Sequence, residues 1–168
     1  MRQRIALVTL FGLLAVLGFL LFGVESTLPE RVATHFGADG IANGWASREG
    51  FTTSIAAVVL LPVAIVQGVG FLMGRLPPSL INLPNRDYWL APERRAKTLD
   101  HIRTVMLEFG NATFAFLLFV AWSIIEANHS ADARLGRLFP YGLLAFLAFV
   151  AAWSFALIRG YSKVPEKA

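Results

Sequence analysis

Residues 5–24 run without a charged side chain, and the pattern recurs three times along the chain. Residues 55–73 are interrupted only by Pro62, Gln67 and glycines. Residues 105–125 hold Glu108 and Asn111, and residues 138–158 again carry no charge. About 20 apolar residues carry a helix across the hydrocarbon of a bilayer, and backbone in hydrocarbon must satisfy its own hydrogen bonds. The pattern therefore predicts an all-α integral membrane protein: one domain over residues 1–168 with four transmembrane helices. A soluble helical bundle would carry a polar stripe every third or fourth residue, and residues 114–125 and 143–158 have none. The first apolar run exceeds the roughly 7–15 residues of a signal peptide, and Phe22-Gly23-Val24-Glu25-Ser26 lacks a small-x-small cleavage pattern. That run reads as a retained anchor.

Composition agrees with this picture. The chain is 56% hydrophobic and 15% charged, against about 45–50% apolar and about 25% charged in soluble domains. It has no cysteine, which excludes disulfide staples, thiolate metal sites and a thiol nucleophile. The net charge of +4 raises the question of nucleic acid, and the distribution of charge answers it. The N-terminus, the segment 74–104 and the tail hold two, six and three basic residues, eleven together; the segments 25–54 and 126–137 hold two each. Lys and Arg accumulate on the cytoplasmic side. Both termini and the basic loop 74–104 are thus expected inside, an N-in/C-in arrangement, with loop 25–54 outside. The basic residues are topology determinants facing anionic head groups, and no nucleic-acid partner is expected. A bacterial cytoplasmic (inner) membrane location follows as the expectation.

The outer loop is long for a link between packed helices. Pro29 sets an extended or turn entry, Gly37, Gly40 and Gly44 permit positive φ, and Asn43-Gly44 is a tight-turn signal. Phe36, Trp45 and Phe51 suit the membrane interface. The segment reads as an ordered external loop rather than a linker. Its Leu28-Pro29, Thr34-His35-Phe36, Gly40, Asn43-Gly44-Trp45 and Ser47-Arg48 resemble the signature of a bacterial membrane domain of unknown function, which also forms the N-terminal part of SdpI-type toxin-immunity proteins. A second block, Asn82-Leu83-Pro84-Asn85 through Tyr88, Trp89 and Pro92, is similar to a segment of stand-alone members of that group. The resemblance implies a non-enzymatic membrane protein acting in recognition, immunity or signalling through the loop from His35 to Trp45. It also implies a peptide or protein ligand outside.

Chemistry-bearing residues are few. His35 and Asp39 are weak metal candidates, with His129 and Asp132 as conceivable external partners; otherwise His35 serves to hold the loop together by hydrogen bonds. No nucleophile–base pair or phosphate-cradling glycine loop is present, and no cofactor is expected. Glu108 lies inside the third span, near enough to its cytoplasmic end to reach water or Arg103, and an intramembrane carboxylate is a functional candidate. Gln67 and Asn111 lie at equal depth and predict an interhelical amide pair. In the basic loop, Asn82, Pro84 and Asn85 predict a turn, and Tyr88 and Trp89 suit the head-group level. Pro92 starts a helix predicted to run without a break into the third span, placing Arg94, Arg95, Lys97 and Arg103 beside anionic lipid or a cytosolic partner. Pro62 is a kink candidate, and Gly70 and Gly74 form a small-xxx-small pair. The alternatives to recognition are a metal-dependent membrane enzyme using His35, Asp39 and His129, and a small transporter working through Glu108.

Overall fold

The computed structural model describes residues 1–23 and 25–164. Val24, at the end of the first expected span, and Glu166 and Lys167 of the tail lie outside the described residues. The order is helix α1 (Arg2–Gly23), strands β1 (Arg31–Phe36) and β2 (Ala42–Ser47), helix α2 (Arg48–Leu72), a short helix α3 (Arg86–Trp89), and helices α4 (Pro92–His129) and α5 (Phe139–Ser162). Short 3-10 turns cover Glu25–Thr27, Met73–Arg75 and Pro78–Leu80.

Four of these helices are long and apolar enough to cross a membrane. Their outward faces carry Phe11, Phe19, Leu61, Ile65, Leu144 and Phe155, all exposed. Soluble monomers rarely expose apolar area on that scale, whereas lipid is the natural solvent for it. The chain is a multi-pass membrane protein.

Helices α2 and α4 start well before their apolar runs. Helix α2 begins directly after β2, because Ser47 caps it: its hydroxyl accepts from the Gly50 N–H at 3.1 Å, and Glu49 in the first turn meets the positive end of the helix dipole. Helix α4 begins at Pro92, as predicted, and its 38 residues span about 57 Å at 1.5 Å per residue. That exceeds the roughly 30 Å of hydrocarbon, so its first turns project beyond the membrane core. Pro62 sits inside α2, which continues through it.

The core lies between α1, α2 and α4. Leu17, Leu20, Ile55, Val59, Val63, Phe114, Leu118, Ala121 and Ile125 form it, with Leu28 and Val32 closing one end. Helix α5 packs chiefly on α4 through a ladder of rings. Phe116 stacks on Phe146 with centroids 4.1 Å apart, Phe109 meets Trp153 at 4.4 Å, and Phe119 stacks on Phe139 at 6.2 Å.

The all-α expectation needs one correction. The loop after α1 contains an antiparallel hairpin of β1 and β2, with Ala33 opposite Trp45 and His35 opposite Gly44. Its turn is not at Asn43-Gly44. The chain reverses at residues 37–41, where the Gly37 N–H donates to the Ile41 carbonyl at 2.9 Å and Gly40 takes φ 76°. Gly44 lies in the strand for a different reason: a Cβ there would stand 2.7 Å from the Cβ of His35. The glycine serves close approach rather than reversal.

Candidate functional site

The hairpin is fastened to α4 along one edge. Val32 and Ala33 are fully buried, at 0% exposure. The Ala33 N–H donates to Asn128 Oδ1 at 2.7 Å, and Asn128 Nδ2 donates back to the Ala33 carbonyl at 3.0 Å. One side chain thus takes the place of a neighbouring strand, satisfying both backbone groups of a buried residue. The same Nδ2 also donates to the Ile124 carbonyl at 2.9 Å, which fixes the amide on its own helix. His129 adds a contact, its Nε2 lying 3.2 Å from the Thr27 hydroxyl. At the root, the Arg48 N–H donates to the Glu30 carbonyl at 3.1 Å, and Pro29 offers its carbonyl to Arg48 Nε at 3.4 Å.

The loop between α4 and α5 clamps the turn. Ile41 bridges Arg134, the Leu135 N–H donates to the Gly40 carbonyl at 2.9 Å, and Arg134 Nη1 donates to the Asp39 carbonyl at 3.1 Å. Between turn and loop lies a groove of about 660 Å³ lined by Asp39, Arg134, Arg137, Phe139 and Leu143.

Within the hairpin, His35 Nδ1 bonds Asn43 Oδ1 across the strands. Asp39 Oδ1 accepts the Ile41 N–H at 3.0 Å, closing the turn. Trp45 is 43% exposed, and the Arg31 guanidinium lies 5.3 Å from its ring centroid, within cation–π range. Phe36 is half-buried. The motif residues therefore divide: His35, Asn43, Gly44, Gly40 and Pro29 build the hairpin, while Trp45 with Arg31 is presented outward.

The four residues considered for metal are not brought together. His35 is engaged by Asn43, Asp39 by the turn and His129 by Thr27. Among the described residues no group of three His, Cys, Asp or Glu side chains could hold a metal ion.

The intramembrane polar residues join helices. Gln67 Nε2 donates to Asn111 Oδ1 at 3.3 Å, as equal depth predicts, and Asn111 Nδ2 donates to the Ala6 carbonyl at 2.7 Å. One buried amide thus ties α1, α2 and α4. Glu108 meets Arg2, not Arg103. Arg2 Nε and Nη2 donate to its two oxygens at 2.9 and 2.6 Å, and both side chains are partly open. Arg103 lies over Phe71 instead. A Cβ at Gly70 would press on Met106 of α4, while one at Gly74 would meet open space, so only Gly70 of that pair leaves no room for a side chain.

At the other end, the 82–92 block caps α5. Asn82 and Pro84 lead into α3, and Asn85, at φ 50°, donates to the Tyr161 and Ser162 carbonyls at 3.0 and 2.9 Å. Trp89 Nε1 donates to the Tyr161 carbonyl at 2.8 Å. Arg94 Nε donates to the Tyr88 carbonyl at 2.8 Å and Arg95 Nη2 to the Leu76 carbonyl at 3.2 Å. These two arginines, expected beside lipid, hold the loop's own backbone. Asn128, Arg2 and Tyr161 were missing from the sequence-based candidates, since each is joined to a residue more than 75 positions away; Asn85 was expected as part of a turn, and its distant partners at the end of α5 were not.

A multi-pass membrane protein with a helix-docked hairpin at one end is thus the class that the fold defines. Residues 9–65 match a domain of unknown function (DUF1648), a stretch that takes in most of α1, the whole hairpin and most of α2. No curated protein and no solved structure matches the chain.

Proposed function

We propose that this protein is a non-enzymatic receptor-like component of the bacterial cytoplasmic membrane. In this reading the hairpin faces outward and recognises a peptide or protein ligand, in immunity or signalling of the SdpI-related kind. The observation that carries the reading is the division of labour in the hairpin. On its buried edge Ala33 is hydrogen-bonded to Asn128 through both backbone groups, while Trp45 and Arg31 are held outward. A Trp with a guanidinium at its face is the residue chemistry of interface hot spots, and a pre-organised frame lowers the entropy lost on binding.

The test is protection of toxin-sensitive bacteria against a secreted membrane-active peptide toxin. The wild-type chain is expected to protect. Trp45→Ala should insert at the same level yet protect about thirtyfold less, the equivalent of losing a hot spot of about 2 kcal/mol. Equal protection by Trp45→Ala removes the hairpin from recognition, and no protection by the wild type removes immunity.

A further inference from the structure

At the end opposite the hairpin, α3, α4 and α5 line an open cavity of about 430 Å³, inside the roughly 300–1,000 Å³ typical of ligand sites. Its wall on the α4 side carries Glu93, Arg94 and Lys97, and its α5 side carries Ala156, Leu157 and Tyr161. One half is thus polar and cationic. The other is apolar and continues down the lipid-exposed length of α5.

Three features give the cavity a chemical preference. Arg94 is fixed in place: its Nη2 meets Glu93 Oε1 at 2.7 Å, its Nε is tied to the Tyr88 carbonyl, and its guanidinium lies 4.0 Å from the Tyr88 ring centroid. Lys97, one helical turn on, is exposed and makes no ion pair among the described residues. Two cations against the Glu93 carboxylate leave one positive charge. Lastly, Tyr161 is only 5% exposed, and its hydroxyl is buried with no hydrogen-bond partner. A buried hydroxyl left unpaired is destabilising, so a ligand oxygen there would relieve a standing penalty. The rest of Tyr161 is well held: its ring packs edge-on against Trp89 at 5.3 Å, and its carbonyl accepts from Asn85 and Trp89.

We propose that this cavity binds a phosphodiester monoanion, supplied as the head group of an acidic membrane lipid. The phosphate oxygens take Lys97 and the Tyr161 hydroxyl, Arg94 adds its fixed charge, and an acyl chain lies along Ala156 and Leu157. A single negative charge matches the single excess positive charge. The apolar half is what a free anion would leave unused. Basic pockets between helices at a membrane face are suited to such head groups.

Purified, delipidated protein in a neutral detergent, followed by intrinsic tryptophan fluorescence on heating, tests this. Phosphatidylglycerol should raise Tm saturably, on the order of 5–10 °C at a hundredfold excess over Kd for a chain of this size. Phosphatidylcholine and inorganic phosphate should not. Lys97→Gln, on the exposed surface, should lose at least half of the rise. Tyr161→Phe keeps the ring and removes the unpaired hydroxyl, so without lipid it should be as stable as wild type or more so, and still lose most of the rise. The proposal is overturned by a wild-type rise in both variants, by an equal rise with phosphatidylcholine, or by inorganic phosphate reproducing the whole effect.

Discussion

Asn128 shows how much one side chain can settle. It gives buried Ala33 both the acceptor and the donor that a third strand would have given, so the two-stranded hairpin is finished by a helix. A lone hairpin is marginal in water, and this one depends on that amide. Asn128→Ala would leave the Ala33 N–H and carbonyl without partners, a loss of about 1–3 kcal/mol for each group. Amide hydrogen exchange of the purified protein should show β1 and β2 exchanging much faster in this variant, with α1, α2, α4 and α5 protected as before. Unchanged protection of the hairpin would mean that its own ladder suffices. None of this was legible in residues 31–47 alone. The alternation there is weak, Asn43-Gly44 imitates a reversal, and the partner that makes the segment a strand lies 95 residues downstream.

The helices were far more legible, because an uninterrupted apolar run has one good solution in lipid. The start of α4 could be read from Pro92, and the Gln67–Asn111 pair from equal depth in neighbouring spans. The helix ends were not legible where a cap or a distant partner decides them, as with Ser47 before α2, or Asn85 and Trp89 at the end of α5. Glycines separate packing from propensity on one helix. A Cβ at Gly70 would stand 2.9 Å from the Cβ of Met106 and 3.9 Å from the Arg103 carbonyl, whereas Gly68 has nothing within 4 Å. Gly70→Ala must push α2 away from α4, with an overpacking loss of about 1–3 kcal/mol. Gly68→Ala has no such conflict and should gain up to about 1 kcal/mol from helix propensity. Thermal unfolding in detergent should therefore move in opposite directions for two alanines placed two residues apart. Shifts of the same sign and size would place the α2–α4 contact elsewhere.

At the scale of the molecule, contacts sort the chain into two ends. Arg2 and Gln3 reach Glu108, Asp100 and Thr104, and the end of α5 reaches Asn85 and Trp89. The start of α1, loop 74–104 and the end of α5 therefore share one end, while the hairpin and the α4–α5 loop share the other. Charge follows the same division. Segments 25–54 and 126–137 carry four basic and six acidic residues, while the N-terminus, segment 74–104 and the tail carry eleven basic and four acidic ones. Since Lys and Arg are held on the cytoplasmic side, the hairpin end should face out, as the proposed recognition role requires. The absence of cysteine from these 168 residues makes this directly measurable. Ala38, in the hairpin turn, and Ala96, in the first turns of α4, are both exposed, so each tolerates cysteine without disturbing the core. In intact cells a membrane-impermeant maleimide should label Ala38→Cys at once and Ala96→Cys only after permeabilisation. The reverse pattern would invert the protein and put the hairpin in the cytosol, and with it any ligand. Equal labelling of both positions in intact cells would place the two ends on one side and remove the four-span arrangement altogether.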